Sequence, residues 1–165
     1  MTEHAAPWGR ALWVTSALAT ALCVGLAAWL GVGAERAPAW VPLLVLAIPA
    51  SSAPFAVLGY SIQPDALLVR RLLWVTRLPL AGIESGRHDP QAMRGSLRLF
   101  GNGGLYSFSG WFRSGSLGTY RAFVTDPGRA VVLRIRGKHV VVSPRDPARF
   151  LRELAVLQPS VGKDG

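Results

Sequence analysis

Side chains able to do chemistry are few in this chain and lie far apart. There are three histidines, His4, His88 and His139, and one cysteine, Cys23. Their separations do not fit the short ligand spacings of a metal site, and no cofactor or metal is expected. His88 beside Asp89 offers half of a base and orienter pair. The serines near Gly110 lack the spacing of a nucleophile elbow, and Cys23 sits inside an apolar run. Gly101-Asn102-Gly103-Gly104 can turn backbone N–H groups toward a phosphate, but no Gly-Lys-Ser/Thr and no helix come after it, so it reads as a hairpin or bulge. Asp126, before Pro127-Gly128, is a turn former rather than a general acid. These residues argue against an enzyme.

The basic residues say more as a set. Lysine and arginine total 18 against 9 acidic residues, a net charge of +9. Residues 1–59 hold Arg10 and Arg36 against Glu3 and Glu35, so the whole excess belongs to residues 60–165. Arg70, Arg71, Arg77, Arg98, Arg113, Arg134, Arg136 and Lys138, with Trp111 and Phe112 beside Arg113, are the candidate contacts for anionic lipid headgroups or a protein partner; Arg87, Arg94 and Arg121 belong to the same set. Each basic group near an anionic leaflet is worth roughly 1 kcal/mol. The alternative is a solvated basic face that only favours an inside topology. Nucleic acid is not an expected partner, because the cations cluster neither on a helix nor in an RNA-binding aromatic motif.

Two uncharged runs must position this charge. Leu12 to Val32 has 21 residues, enough at ~1.5 Å per residue to match a hydrocarbon core of ~30 Å. Trp40 to Leu58 has 19, interrupted by Pro42, Pro49 and Pro54. The connector Gly33 to Ala39 is short, so the expectation is a transmembrane hairpin with spans at about 12–32 and 40–58. Neither run holds an Asp, Glu, Lys, Arg or His, which argues against a transporter or channel. Trp8 and Trp13 fit one interfacial belt, and Trp29, Trp40 and Tyr60 the other ends. Arg70, Arg71 and Arg77 come soon after the second run, placing the remainder in the cytoplasm and the protein in an inner membrane as a multi-pass chain. Val32-Gly33-Ala34 also resembles a signal-peptide cleavage site, although the run is long for one and Glu3 precedes it. Met1 to Pro7 reads as a polar, disordered tail.

From Tyr60 onward, short segments rich in Val, Leu, Ile and aromatics are broken by Gly, Pro, Asn and Asp about every ten residues, the pattern of consecutive antiparallel strands. Ala66 to Leu72, Trp74 to Leu80, Leu80 to Gly86, Leu97 to Phe100, Leu105 to Phe108, Leu117 to Thr125, Ala130 to Arg136 and His139 to Val142 are the strand segments. His88 to Gly95 reads as a loop or single helical turn. Val131, Leu133 and Ile135 mark a core face, with Arg134 and Arg136 on a wet one. Asp146 as N-cap and Pro147 at the first position open a helix carrying Phe150, Leu151, Leu154 and Leu157 on one side.

The segment from Gly101 to Leu154 resembles the bacterial pleckstrin-homology-like (PH-like) domain family in its membrane-anchored form. The resemblance is carried by the Gly101–Gly104 turn, Gly110 to Phe112, Leu117 to Ala122 with Thr125 and Asp126, Val140 to Val142, Ser143 to Pro147, and Phe150 to Leu154. It implies two nearly orthogonal sheets capped by a C-terminal helix, and no established catalysis. The expected fold is therefore α+β. Residues 1–59 form the transmembrane hairpin, 60–158 a cytoplasmic PH-like barrel or sandwich of about seven antiparallel strands with its helix, and 159–165 a polar tail. The expected role is non-enzymatic, binding a protein, a peptide or anionic lipid at the bilayer, or self-associating into a homo-oligomer.

Overall fold

The computed structural model describes residues 2–32, 38 and 40–158. Most of the connector, the cleavage-like Gly33-Ala34 and the expected tail 159–165 lie outside the described residues. The chain opens with a strand, β1 (Thr2–Ala5), and two helices, α1 (Arg10–Val32) and α2 (Trp40–Ser52). Further strands lead to the final helix: β2 (Val57–Ile62), β3 (Ala66–Arg71), β4 (Val75–Pro79), β5 (Ile83–His88), β6 (Leu97–Gly103), β7 (Phe108–Ser114), β8 (Gly118–Val124), β9 (Val131–Ile135), β10 (Lys138–Val142), and then α3 (Pro147–Leu157). The first sheet runs β1-β2-β3-β4 and the second β5-β9-β10-β8-β7-β6, so the two do not close into a barrel.

Three expectations are corrected here. The N-terminal segment is ordered: Thr2 to Ala5 pairs antiparallel with Ile62 to Gly59, and His4 is 6% exposed. No local signal marks so short a strand, because its partner lies beyond both helices. The second apolar run is not one span. Its helix ends at Ser52, the 3-10 turn Ala53–Phe55 comes next, and β2 has begun by Val57. Pro54 cannot continue the helix, and the hydroxyls of Ser51 and Ser52 take up the Ile48 carbonyl. At ~1.5 Å per residue α1 is about 34 Å long and α2 about 20 Å, so among the described residues only α1 is by itself long and apolar enough to cross a bilayer. Finally, the strands are not all antiparallel, since the β9–β10 hairpin folds back to set β10 parallel to β8.

The main core fills the space between the sheets. Tyr60, Leu67, Val69, Phe123, Leu133 and Val142 meet Phe150 and Leu154 of α3, which closes one end. Sheet two is covered on its other face as well, where Phe112, Tyr120, Val132 and Val141 pack under Ala92 and Met93. Val132 is thus buried, and the expected wet face of β9 is confined to Arg134. A buried polar knot ties the arm to the domain. Tyr60 donates to the Phe123 carbonyl and accepts from the Ser143 amide, Ser143 Oγ accepts from the Thr125 amide, and Thr125 Oγ1 donates to the Pro7 carbonyl. Tyr60 is core, not an interfacial marker, and burial pushes its hydroxyl pKa up to about 12. Asp146 caps α3 by accepting from the Arg149 amide, as the sequence indicates.

Between β6 and β7 the glycines allow an approach no side chain would permit. Gly101 and Gly110 face each other with φ of 111° and 140°, and a Cβ on either would stand 2.2–2.3 Å from a cross-strand carbonyl oxygen. Residues 101–103 therefore belong to the regularly paired end of β6, whose bulge lies at Leu99, and the turn itself falls at 104–107.

Candidate functional site

Two ends of the domain differ in chemistry. One is the end from which the helices rise. There α1 docks on the turn after β6: the Tyr106 amide donates to Ser16 Oγ (2.9 Å), Tyr106 Oη lies 2.8 Å from Thr20 Oγ1, and Trp8 packs against the Tyr106 ring. Beyond this contact both helices present apolar side chains to the exterior, among them Leu22, Trp29, Leu43 and Leu44. The β3–β4 hairpin adds Leu72, Leu73 and Trp74 at the same end, because Arg71 is paired with Val57 at the exit from α2. Leu73 is 71% exposed, and the Trp74 and Phe55 rings meet edge-on at 5.1 Å.

Behind that hairpin stands Arg71. The inward alternation of Leu67, Val69 and Arg71 turns its side chain into the gap between the sheets, where it is 9% exposed. Its guanidinium carbon lies 4.9 Å from the Phe123 ring centroid, 5.5 Å from Trp74 and 5.7 Å from Phe55, while Nε has no hydrogen-bond partner. Arg121 lies over the same Phe123 ring, also at 4.9 Å. Burial, and then the charge of Arg121, lower the pKa of Arg71.

Among the described residues no carboxylate reaches this pair. Every acidic side chain among the described residues is engaged elsewhere: Glu3 with Arg70, Asp65 with Arg77, Glu84 with Arg134, Asp89 with Arg87, Asp126 with Arg129, and Glu153 with Arg149 and His4, while Asp146 caps α3. Asp89 is thus held by Arg87 and by the Gln91 amide, and no bond joins it to the exposed His88.

The opposite end, around the β9–β10 turn, opens into a cleft of about 380 Å³ between the sheets. Leu78, Ile135 and Val140 give it an apolar floor; Arg121, Arg136 and Lys138 supply charge, and Trp111 forms a wall. Trp111 is 41% exposed and lies in β7 rather than a loop, paired with Arg121 of β8. His139 also lines the cleft, with Nδ1 3.0 Å from the Leu117 carbonyl oxygen.

The ten sequence candidates therefore separate. Arg136, Lys138 and Trp111 come together in the cleft, and Arg71 stands apart from them at the helix end, sharing the Phe123 ring with the cleft residue Arg121. Arg70, Arg77 and Arg134 are in surface ion pairs, Arg98 donates to the Gly101 carbonyl, and Arg113 is exposed on β7. Phe112 is core, stacked on Tyr120. Phe55 and Trp74 were not among the candidates, and Arg121 stood only in the wider basic set. A period-two reading of Thr119, Arg121 and Phe123 would have put Arg121 on the inward face.

A family model described as a bacterial PH domain matches residues 58–158, more than half of the chain. No curated protein and no solved structure matches.

Proposed function

We propose that this chain, which belongs to the bacterial PH domain family, is a non-enzymatic, membrane-attached module that presents its basic cleft to an acidic segment of a partner protein on the cytoplasmic side. The observation that carries the binding role is the cleft: three cations and a half-exposed indole over an apolar floor, with no carboxylate lining it, at the end remote from the helices. Acidic side chains would meet Arg121, Arg136 and Lys138, while apolar neighbours would cover Trp111 and Ile135. Attachment is supported by α1, long and apolar enough to cross, and by the pairing of β1 with β2 around the helices, which returns the chain to the side it left. An inner bacterial membrane with the basic domain inside accords with the charge distribution.

A photo-crosslinking residue at Trp111, in full-length protein in native membranes, tests the cleft. A discrete adduct that disappears with Lys138→Glu is expected; no adduct, or one indifferent to the charge reversal, contradicts the reading. Self-association is a second reading, favoured by β6. This strand is the open edge of its sheet, with Leu97 72% and Phe100 77% exposed. The same crosslinker at Leu99 would give dimers if that edge pairs with a second copy.

A further inference from the structure

Arg71 and Arg121 set two positive charges over one phenyl ring, with Arg71 enclosed by the fold and no acidic partner in reach of either among the described residues. Three aromatic faces offset part of the desolvation of Arg71, but they do not neutralise it, and a guanidinium carries five donors that an enclosed site must satisfy. One of them, Nε, is left without an acceptor. A phosphate, which guanidinium groups bind in a bidentate fork, supplies both the charge and the acceptors.

The location selects the source of that phosphate. Arg71 directly precedes Leu72 and Leu73, two exposed leucines at the tip of a tight hairpin, and its flanking ring Phe55 lies in the 3-10 turn that leaves α2. Because β1 pairs with β2, a crossing by α1 obliges α2 to return the chain, and a bilayer thinned to the ~20 Å of α2 draws this end of the domain down to the interface. Leucine and indole side chains then enter the region between headgroups and acyl chains, at the level of lipid phosphates.

We propose that Arg71 and Arg121 hold the phosphate of an anionic phospholipid, with Leu72 and Leu73 inserted beside its acyl chains and Phe55 and Trp74 framing the entrance. The inference rests on the membrane attachment proposed above and shares Arg121 with the cleft, so lipid preference and the Trp111 adduct are read separately. It makes the domain a reader of lipid charge at a defined position rather than a diffusely basic surface.

Full-length protein in mild detergent, offered equal phosphatidylglycerol and phosphatidylcholine, tests it by native mass spectrometry of retained lipid. Wild type should retain phosphatidylglycerol about tenfold over phosphatidylcholine, the scale of one charge-assisted contact set. Arg71→Gln and Arg121→Gln should each remove most of that preference, and Arg113→Gln, an exposed arginine on β7, should keep it. Should Arg71→Gln fail to fold, Arg121→Gln carries the comparison, since its side chain is only half-buried. Equal retention of the two lipids by wild type, or an unchanged preference in a folded Arg121→Gln, overturns the site. Displacement of the lipid by excess inorganic phosphate would assign free phosphate instead and overturn the lipid assignment. If the chain washes off native membranes, the attachment itself has failed, an outcome distinct from a membrane-held chain without lipid preference.

Discussion

Tyr60 shows how much one hydroxyl can organise. Its oxygen serves the Phe123 carbonyl and the Ser143 amide at once, inside a core where neither group meets water. Tyr60→Phe should lower stability by about 1–3 kcal/mol, the cost of leaving buried backbone groups unpaired, read from unfolding of the full chain in micelles. Glu153 is the titrating counterpart. The hydrogen bond from Arg149, with smaller help from Thr2 and His4, holds its carboxyl down to about 2 against an ordinary 4.5. A folded-state value below the unfolded one stabilises fully above about pH 4.5, and that contribution is lost as pH falls toward 2. The difference in melting temperature between wild type and Glu153→Gln should therefore shrink over that window. A difference that stays constant to pH 2 would show that the carboxylate does not matter.

Among the elements, the β6–β7 hairpin depends most on absent side chains. Gly110→Ala would push a methyl group into the Phe100 carbonyl at a φ of 140°, and should cost about 1–3 kcal/mol and loosen the turn that Tyr106 docks against α1. Protease sensitivity at 104–107 would report it. How much the sequence made legible depends on how local each signal is. The Asp146-Pro147 start of α3 and the β9–β10 hairpin are local chemistry; α3 begins where its residues indicate, while the turn falls at Arg136-Gly137, one residue before the Gly137-Lys138 that the pattern suggests. β1 was not legible, because four residues carry no pattern and their partner strand starts at Val57. The parallel pairing of β8 and β10 was hidden for the same reason. The end of α2 was a matter of weight: Pro49 and Pro54 were visible, but the unbroken absence of charge read as a single span. Arg71 was visible as one of many cations, and only its shared parity with Leu67 and Val69 marked it as inward.

At the scale of the whole molecule, the N-terminal arm and the helices cannot be separated from the domain. β1 extends the first sheet, the Arg145 amide donates to the Ala5 carbonyl, His4 stacks edge-on against Phe150, and Gly9 donates to the Thr125 carbonyl. A fragment starting at Tyr60 would lose β1 and half of β2, so it is expected to be less stable than the full chain, and cleavage after α1 would strip the same strand. A short α2 would also seat the domain close to the bilayer. A spin label at Leu73→Cys, in a Cys23→Ser background, should lie shielded from a water-soluble relaxant, while one at Lys138→Cys, at the far end, should not. Equal accessibility of the two would remove the seating.

Most of this depends on the helices leaving and rejoining one folded domain on one side. Glu3→Cys and Ser61→Cys, a register pair across β1 and β2, combined with Cys23→Ser in full-length protein in native membranes, test it directly. Mild oxidation should close an intramolecular disulfide between the two positions in nearly every chain. Failure to crosslink, with Glu3→Cys instead labelled from the membrane face opposite a cysteine at Lys138, would contradict it.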